Sequence, residues 1–212
     1  MAISTYGDLK AELSAYMFHQ RFVARYDNCT GNFERAANRR LRVRPMEATI
    51  LLTTVNGDAI LPADYLVWRT VRPIFATGSP DTPMFRAPYV ELDYVHPAYL
   101  PPVGRGYDRL FTIEGNMFKV RPIDDRPGAF ELHYYQKIPT ITGNDGNSNW
   151  LLQEYPDVYL FGLLTELAAL GRNAEMAQLY KARRDEVFAE IIQLSALTTG
   201  ATSPTVRTGE YY

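Results

Sequence analysis

A single cysteine, Cys29, stands in 212 residues, so the chain closes no disulfide within itself and carries no cysteine-rich metal motif. That usage suits a protein made in a reducing cytoplasm. The three histidines, His19, His96 and His133, lie far apart, and none has HExxH or HxH spacing, so no metal ligand set is expected. GxSxG, Walker A and GxGxxG patterns are missing. Charge of one sign is scarce too: a net charge of −2 supplies no global basic field for holding nucleic acid. Long hydrophobic runs are lacking. The longest, Val158 to Leu170, is interrupted by Thr165 and Glu166 and is too short to span a bilayer. The opening MAISTYGDLKAEL carries acids and no long apolar run, unlike a signal peptide. These absences point to a soluble protein, not an enzyme, with no cofactor and no membrane partner.

Carboxylates are the remaining route to chemistry. A hydrolase needs two of them across a cleft, one with a raised pKa. Asp124-Asp125 belongs to a DDRPG turn by composition. Asp185-Glu186 follows Lys181, Arg183 and Arg184, where ion pairs on a helix surface are the simpler reading. Glu154 and Asp157 are the best pair left for a cell-wall hydrolase, an alternative of a different class. Cys29 is expected in a polar loop without a partner base. One basic concentration exists: Arg35, Arg39, Arg40, Arg42 and Arg44. It can form a solvated face, touch DNA phosphates, or pair with acids on a neighbouring subunit.

What the chain does contain is a region that organises it. In Tyr155 to Leu197, Val158, Phe161, Leu164, Leu167 and Ala168 share one helical face. Pro156 suits a first helical position. Gly171 is expected to close that helix with a positive φ, and Asn173 to cap the next. There Met176, Tyr180, Arg183, Val187, Ile191 and Leu194 make a stripe, with Lys181, Arg184, Asp185, Glu186 and Glu190 facing elsewhere. Two helices so closely joined lie antiparallel. Upstream, Thr5 and Asp8 resemble a capping box for a helix through Leu9, Leu13 and Tyr16. Asp27 to Asn32 reads as a loop, and a helix follows from Phe33, ended by Pro45.

Between these helical parts the texture is β. Met46 to Val55 and Asp58 to Leu61 flank Asn56-Gly57, the strongest hairpin signal in the chain. LPADYL reads as a turn and Val67 to Phe75 as a strand. A proline-rich loop over 76–88, a short helix over 89–95 and a loop over 101–106 follow. A second hairpin turns at Gly115-Asn116, and Ala129 to Ile138 is a further strand. The expected fold is α+β: a helical bundle from residues 1–45 and 149–197, made of N-terminal helices and the C-terminal antiparallel hairpin. It carries an inserted antiparallel β domain over 46–148. Residues 198–212 form an extended C-terminal segment too polar to order itself. Fifteen tyrosines hint at half-wet interfaces.

Several strings carry a family resemblance: YGDLKAEL, FERAANRRLRVRPMEA, LPADYL after the Asn-Gly turn, and LHYYQKIPTI followed by NWLLQEYPDVYLFGLLTELAA. Their order resembles the head-to-tail adaptor, or connector, proteins of tailed bacteriophages of the short-tailed kind. A neck or head-completion protein of a long-tailed phage is a neighbouring class that the sequence does not separate. The resemblance implies a virion structural protein at the head–tail junction, assembled in the host bacterial cytoplasm. It implies a dodecameric ring below the portal protein, extending the DNA channel and giving a platform to nozzle, tail-tube or fibre proteins. It makes Val206, Arg207, Tyr211 and Tyr212 candidates for portal docking. Arg35, Arg39, Arg42, Lys181, Arg184, Asp185 and Glu186 become candidates for subunit contacts or the channel wall.

Overall fold

A computed structural model describes residues 3–16, 20–74, 85–86, 110–121 and 129–198. The chain divides into two compact units. One is built from the described residues up to Met46 and from Ile138 onward, the other from Glu47–Lys137. Five α-helices and two small sheets appear among the described residues, so the class is α+β.

In the first unit, α1 spans Tyr6–Tyr16 and starts at the expected capping box. Thr5 Oγ1 accepts from the Asp8 amide at 3.2 Å, and Asp8 Oδ2 accepts from the Thr5 amide at 3.0 Å. A 3-10 turn, Gln20–Arg25, leads into α2, Tyr26–Arg40. This corrects the loop expected over 27–32 and the polar loop expected around Cys29. Both are helical, and Cys29 is buried. The turn-like composition is overridden because Tyr26, Cys29, Thr30, Phe33, Glu34 and Ala37 fall at helical spacing and are all buried. Thr30 returns its hydroxyl to the Tyr26 carbonyl at 2.8 Å, which keeps a poor helix former inside the helix.

Asn149 caps the short α3, Trp150–Glu154, by accepting from the Leu152 amide at 2.9 Å. Helix α4, Pro156–Leu170, opens on its proline. It is buried nearly all round because α1, α2, α3 and the next helix, over Ala174–Thr198, all pack on it. Gly171 has φ −76°, so the expected positive φ falls elsewhere, on Arg172 at 57°. The Asn173 side chain accepts from the Met176 amide at 3.1 Å, and α5, Ala174–Thr198, follows. Phe161 of α4 stacks on Tyr180 of α5, centroids 6.4 Å apart. The α5 stripe differs from the expected one. Phe188 and Ile191 are buried, Arg183 is outside, and Arg184 is the arginine drawn in.

In the second unit, β1 (Glu47–Thr53), β7 (Ala129–Gln136) and β3 (Tyr65–Ile74) form one antiparallel sheet with β7 central. The other sheet runs β2 (Asp58–Ile60), β6 (Met117–Arg121), β5 (Leu110–Glu114), β4 (Phe85–Arg86). Its β4 lies parallel to β5, a departure from the all-antiparallel expectation. Both turn signals hold. Asn56 and Gly57 take φ 53° and 80°, and Gly115 takes 57°. Yet β1 and β2 do not pair as a hairpin. One bridge, Val55 to Asp58, closes the turn, after which β1 pairs with β7 and β2 with β6. The split lets the two sheets face each other across Leu52, Val71, Phe111, Phe118, Phe130 and Leu132. Ring pairs at 5.7 Å between Phe118 of β6 and Phe130 of β7, and at 5.3 Å between Trp68 of β3 and Phe111 of β5, stitch sheet to sheet. The helix expected over 89–95, the loop over 101–106, the turn over 124–128 and the segment 199–212 lie outside the described residues.

Candidate functional site

The helical unit is held by one close approach and one buried polar network. Gly162 of α4 faces Phe33 of α2 so closely that a Cβ there would overlap ring atoms Cδ2 and Cε2. The Phe33 ring also meets Tyr159 at 4.7 Å and Phe188 at 6.1 Å, joining α2, α4 and α5. Beside it, the buried Glu34 Oε1 accepts from the Ile141 amide at 2.9 Å and from the Tyr159 hydroxyl at 3.3 Å. Asn149 Nδ2 donates to Tyr159 Oη and to the Pro139 carbonyl, both at 2.7 Å. Burial raises the Glu34 carboxyl above its ordinary value, although hydrogen bonds from Ile141, Thr140 and Tyr159 pull it back in part. Burial, then the nearby Glu34 charge, raises the Tyr159 phenol far above the usual range. Sequence inspection missed this network. Its only signal was a glutamate inside a buried helical stripe.

These groups serve the segment that returns to the helices. Residues 139–148 have no ladder to satisfy their backbone, so side chains do it. Asn38 Oδ1 accepts from the Ile138 amide at 2.9 Å, and Asn147 Nδ2 donates to the Thr142 carbonyl at 3.0 Å. In return, the segment satisfies the start of α1. The Asn147 and Asp145 carbonyls accept from the Tyr6 and Gly7 amides at 2.9 and 2.8 Å, and Lys10 pairs with Asp145.

The charged candidates divide into two groups. Arg40, Arg184 and Asp185 come together: Asp185 Oδ1 accepts from Arg40 and, at 2.9 Å, from Arg184. The Arg40 guanidinium lies 5.3 Å from the Phe188 centroid, a cation over an aromatic ring. Burial pushes the Asp185 carboxyl up, but the two guanidinium groups more than offset this and hold it below the ordinary carboxylate value. This triad ties α2 to α5 within the chain. Arg35, Arg39, Arg42, Lys181 and Glu186 remain on the surface. Arg35 donates to Asn32 Oδ1, Arg42 to the Asn38 carbonyl at 2.6 Å, and Glu186 pairs with Arg183 at 3.4 Å. Val206, Arg207, Tyr211 and Tyr212 lie outside the described residues.

The acids of the hydrolase alternative, Glu154 and Asp157, are exposed at the α3–α4 junction, where Asp157 Oδ1 accepts from the Val158 amide at 3.0 Å. His133 sits in β7 with Nδ1 2.9 Å from Thr49 Oγ1, while His19 and His96 lie outside the described residues. Among the described residues no cluster of His, Cys, Asp or Glu could hold a metal, and no helix is long and apolar enough to cross a membrane.

Two surface features have the chemistry of a docking face. Along α5, Leu179, Ile192 and Leu194 are 51%, 45% and 42% exposed. Near its C-terminal end lies a groove of about 370 Å³ lined by Val43, Pro45, Trp150, Tyr155, Ile191 and Leu194. Arg44 and Ser195 complete its rim, and the Arg44 amide donates to Ser195 Oγ at 3.2 Å.

No curated protein matches this chain. The family model described as SU10 adaptor protein matches residues 4–208, nearly the whole sequence, and so takes in both units and the long α5. The chain belongs to the SU10 adaptor family of phage proteins, with a structural role at the virion's head–tail junction in association with portal and tail components.

Proposed function

We propose that this adaptor closes into a dodecameric ring beneath the portal vertex of a short-tailed phage, extends the DNA channel, and offers the attachment platform for nozzle or fibre proteins. In this reading the helices act as a bundle, and the α4–α5 hairpin supplies the face between neighbouring subunits. The observation that carries it is the bareness of α5. Of its 25 residues, only Phe188 and Ile191 are buried among those whose burial is described, while Leu179, Ile192 and Leu194 stand in solvent. A helix this long gains most of its stability from packing, so an unpartnered apolar flank calls for a partner. A ring meets that need by repeating one heterologous contact until it closes.

The near-neutral charge suits a conduit, since a strongly basic lumen would hold passing DNA by its phosphates. Arg35, Arg39, Arg42, Lys181 and Glu186 are then subunit or channel-wall residues, and Val206, Arg207, Tyr211 and Tyr212 dock on the portal. Assembly takes place in the host cytoplasm, and the protein performs no reaction. Electron microscopy of purified portal rings mixed with the protein tests this directly. Twelve-fold density below the portal, lost on Leu179→Glu with Ile192→Glu, is expected; a mixture that leaves portal rings bare ends the reading. A cell-wall zymogram of the wild type, expected to show no clearing, tests the absence of catalysis.

A further inference from the structure

We propose that adjoining copies of this chain join through opposite ends of α4: Glu154 and Asp157 of one copy enter a basic pocket between Arg25 and Arg172 of the next. The inference rests on the ring reading above and names the two patches that its repeated contact uses.

The pocket lies where α4 ends. Phe22, Arg25, Leu170, Gly171 and Arg172 line about 470 Å³ there. Arg25 and Arg172 are exposed, and among the described residues neither guanidinium has an ion pair or a hydrogen bond. Arg40 and Arg184, by contrast, are committed to Asp185. Glu166 is the α4 acid nearest in sequence, one turn before Leu170, and no ion pair joins it to either arginine. Arginine suits such a place because its planar fork meets a carboxylate with two bonds and is weakly hydrated.

The matching acids stand at the other end of the helix. Glu154 closes α3 and Asp157 lies in the first turn of α4, both exposed. Glu154 has no partner among the described residues, and Asp157 spends one oxygen on the Val158 amide. The 15 residues of α4 put about 22 Å of helix between the two patches. A chain therefore cannot fill its own pocket with these acids, whereas a second copy can. Contact between two different patches is heterologous, the kind a ring repeats. Apolar surface accompanies each side. Leu170, 53% exposed, stands beside the arginines, and Tyr155, between the two acids, walls the groove with Trp150. Ion pairs flanked by apolar surface are partly shielded from water and hold better than isolated surface pairs.

The test uses the full chain, both concentrated and alone and on purified portal rings. Arg172→Lys keeps the charge and supplies an amine, which a zero-length carbodiimide couples to a carboxylate touching it. Cross-links from residue 172 of one copy to residue 154 or 157 of another are expected in both samples, in products of more than two chains. Arg25→Glu with Arg172→Glu should raise the concentration needed to load the rings about tenfold. Glu154→Arg with Asp157→Arg should do the same, each with circular dichroism unchanged. An equimolar mixture of the two reversed proteins should restore loading, because alternating copies meet opposite charges at every contact. A folding defect is not cured by mixing. Loaded rings without the cross-link, products limited to closed pairs, reversals that leave loading unchanged, or a mixture no better than its parts would overturn the proposal. Rings left bare by the wild type end the ring reading instead, and the cross-link in the concentrated free protein then decides this contact by itself.

Discussion

The two units solve the same backbone problem differently. In the β unit the central strands β5, β6 and β7 are laddered on both sides, and the cluster buried between the sheets is apolar: Leu52, Val71, Phe111, Phe118, Phe130 and Leu132. In the helical unit a ten-residue segment without regular structure crosses back among the helices, over 139–148. Its amides and carbonyls have no ladder, so Glu34, Asn147 and Asn149 are spent on them, and Asn38 on the Ile138 amide just before it. The lesson is that buried polar side chains mark where irregular backbone enters a core, because an unpaired buried group costs about 1–3 kcal/mol. A titratable group comes with that solution, so pH sensitivity should concentrate in the helical unit.

The largest effect tests the apolar half of this contrast. Phe118→Ala removes the ring between Phe111 and Phe130 and should destabilise the β unit by about 3–5 kcal/mol. Urea denaturation should show that loss equally at pH 4.5 and pH 7.5. A pH-dependent loss would mean the β core also contains a coupled charge.

Gly162→Ala should cost about 1–3 kcal/mol, since the added methyl overlaps the Phe33 ring. Phe33→Leu in the same chain should return part of the loss. Urea unfolding of both single variants and the double gives the coupling, and strict additivity would show that α2 and α4 do not meet there.

Glu34→Ala should cost about 1–3 kcal/mol by orphaning the Ile141 amide and Tyr159 hydroxyl. Glu34→Gln keeps an acceptor and discards the charge. Because the folded carboxyl titrates above its ordinary value of 4.5, the native state binds more protons than the unfolded state between the two values. Stability therefore falls as pH rises through that window. The glutamine variant should flatten this slope and equal or exceed wild type on its alkaline side. Parallel urea midpoints for the two proteins from pH 4 to 8 would break the contrast between the units.

The smallest effect lies at the helix seam. Asp185→Asn weakens the links to Arg40 and Arg184, but the groups are partly exposed, so the loss should stay below about 1 kcal/mol. Its sign with pH is opposite to that of Glu34. The Asp185 carboxyl is held below 3.8, so its contribution is present above that value and lost as pH falls through the lowered one. Thermal midpoints of the two proteins should converge at acid pH.

Local chemistry was legible wherever few residues decide the geometry. Asn56-Gly57 and Gly115-Asn116 turn as expected because Asn56, Gly57 and Gly115 take positive φ. Thr5 with Asp8, Pro156 and Asn173 mark helix starts through groups that act within one turn. The start of α2 was hidden by the turn-like DNCTGN, although the spacing of Tyr26, Cys29, Thr30 and Phe33 already marked a helix. At the end of α4, Gly171 drew attention from Arg172, where the positive φ lies. Of the candidate site, the arginine and acid positions were visible as charges. That Arg40, Arg184 and Asp185 form one triad while Arg35, Arg39, Arg42, Lys181 and Glu186 stay outside was not.

By itself the sequence determined the α+β class, the turns, most helix starts, the absence of known catalytic motifs and, through its ordered strings, the adaptor family. The tertiary structure alone decided that β1 and β2 part into different sheets, that Gly162 gives way to Phe33, and that Glu34 goes inside to serve Ile141. The physical reason is range. Caps and turns are satisfied by neighbours along the chain, whereas strand partners, close helix contacts and buried polar groups are chosen by residues far away along it.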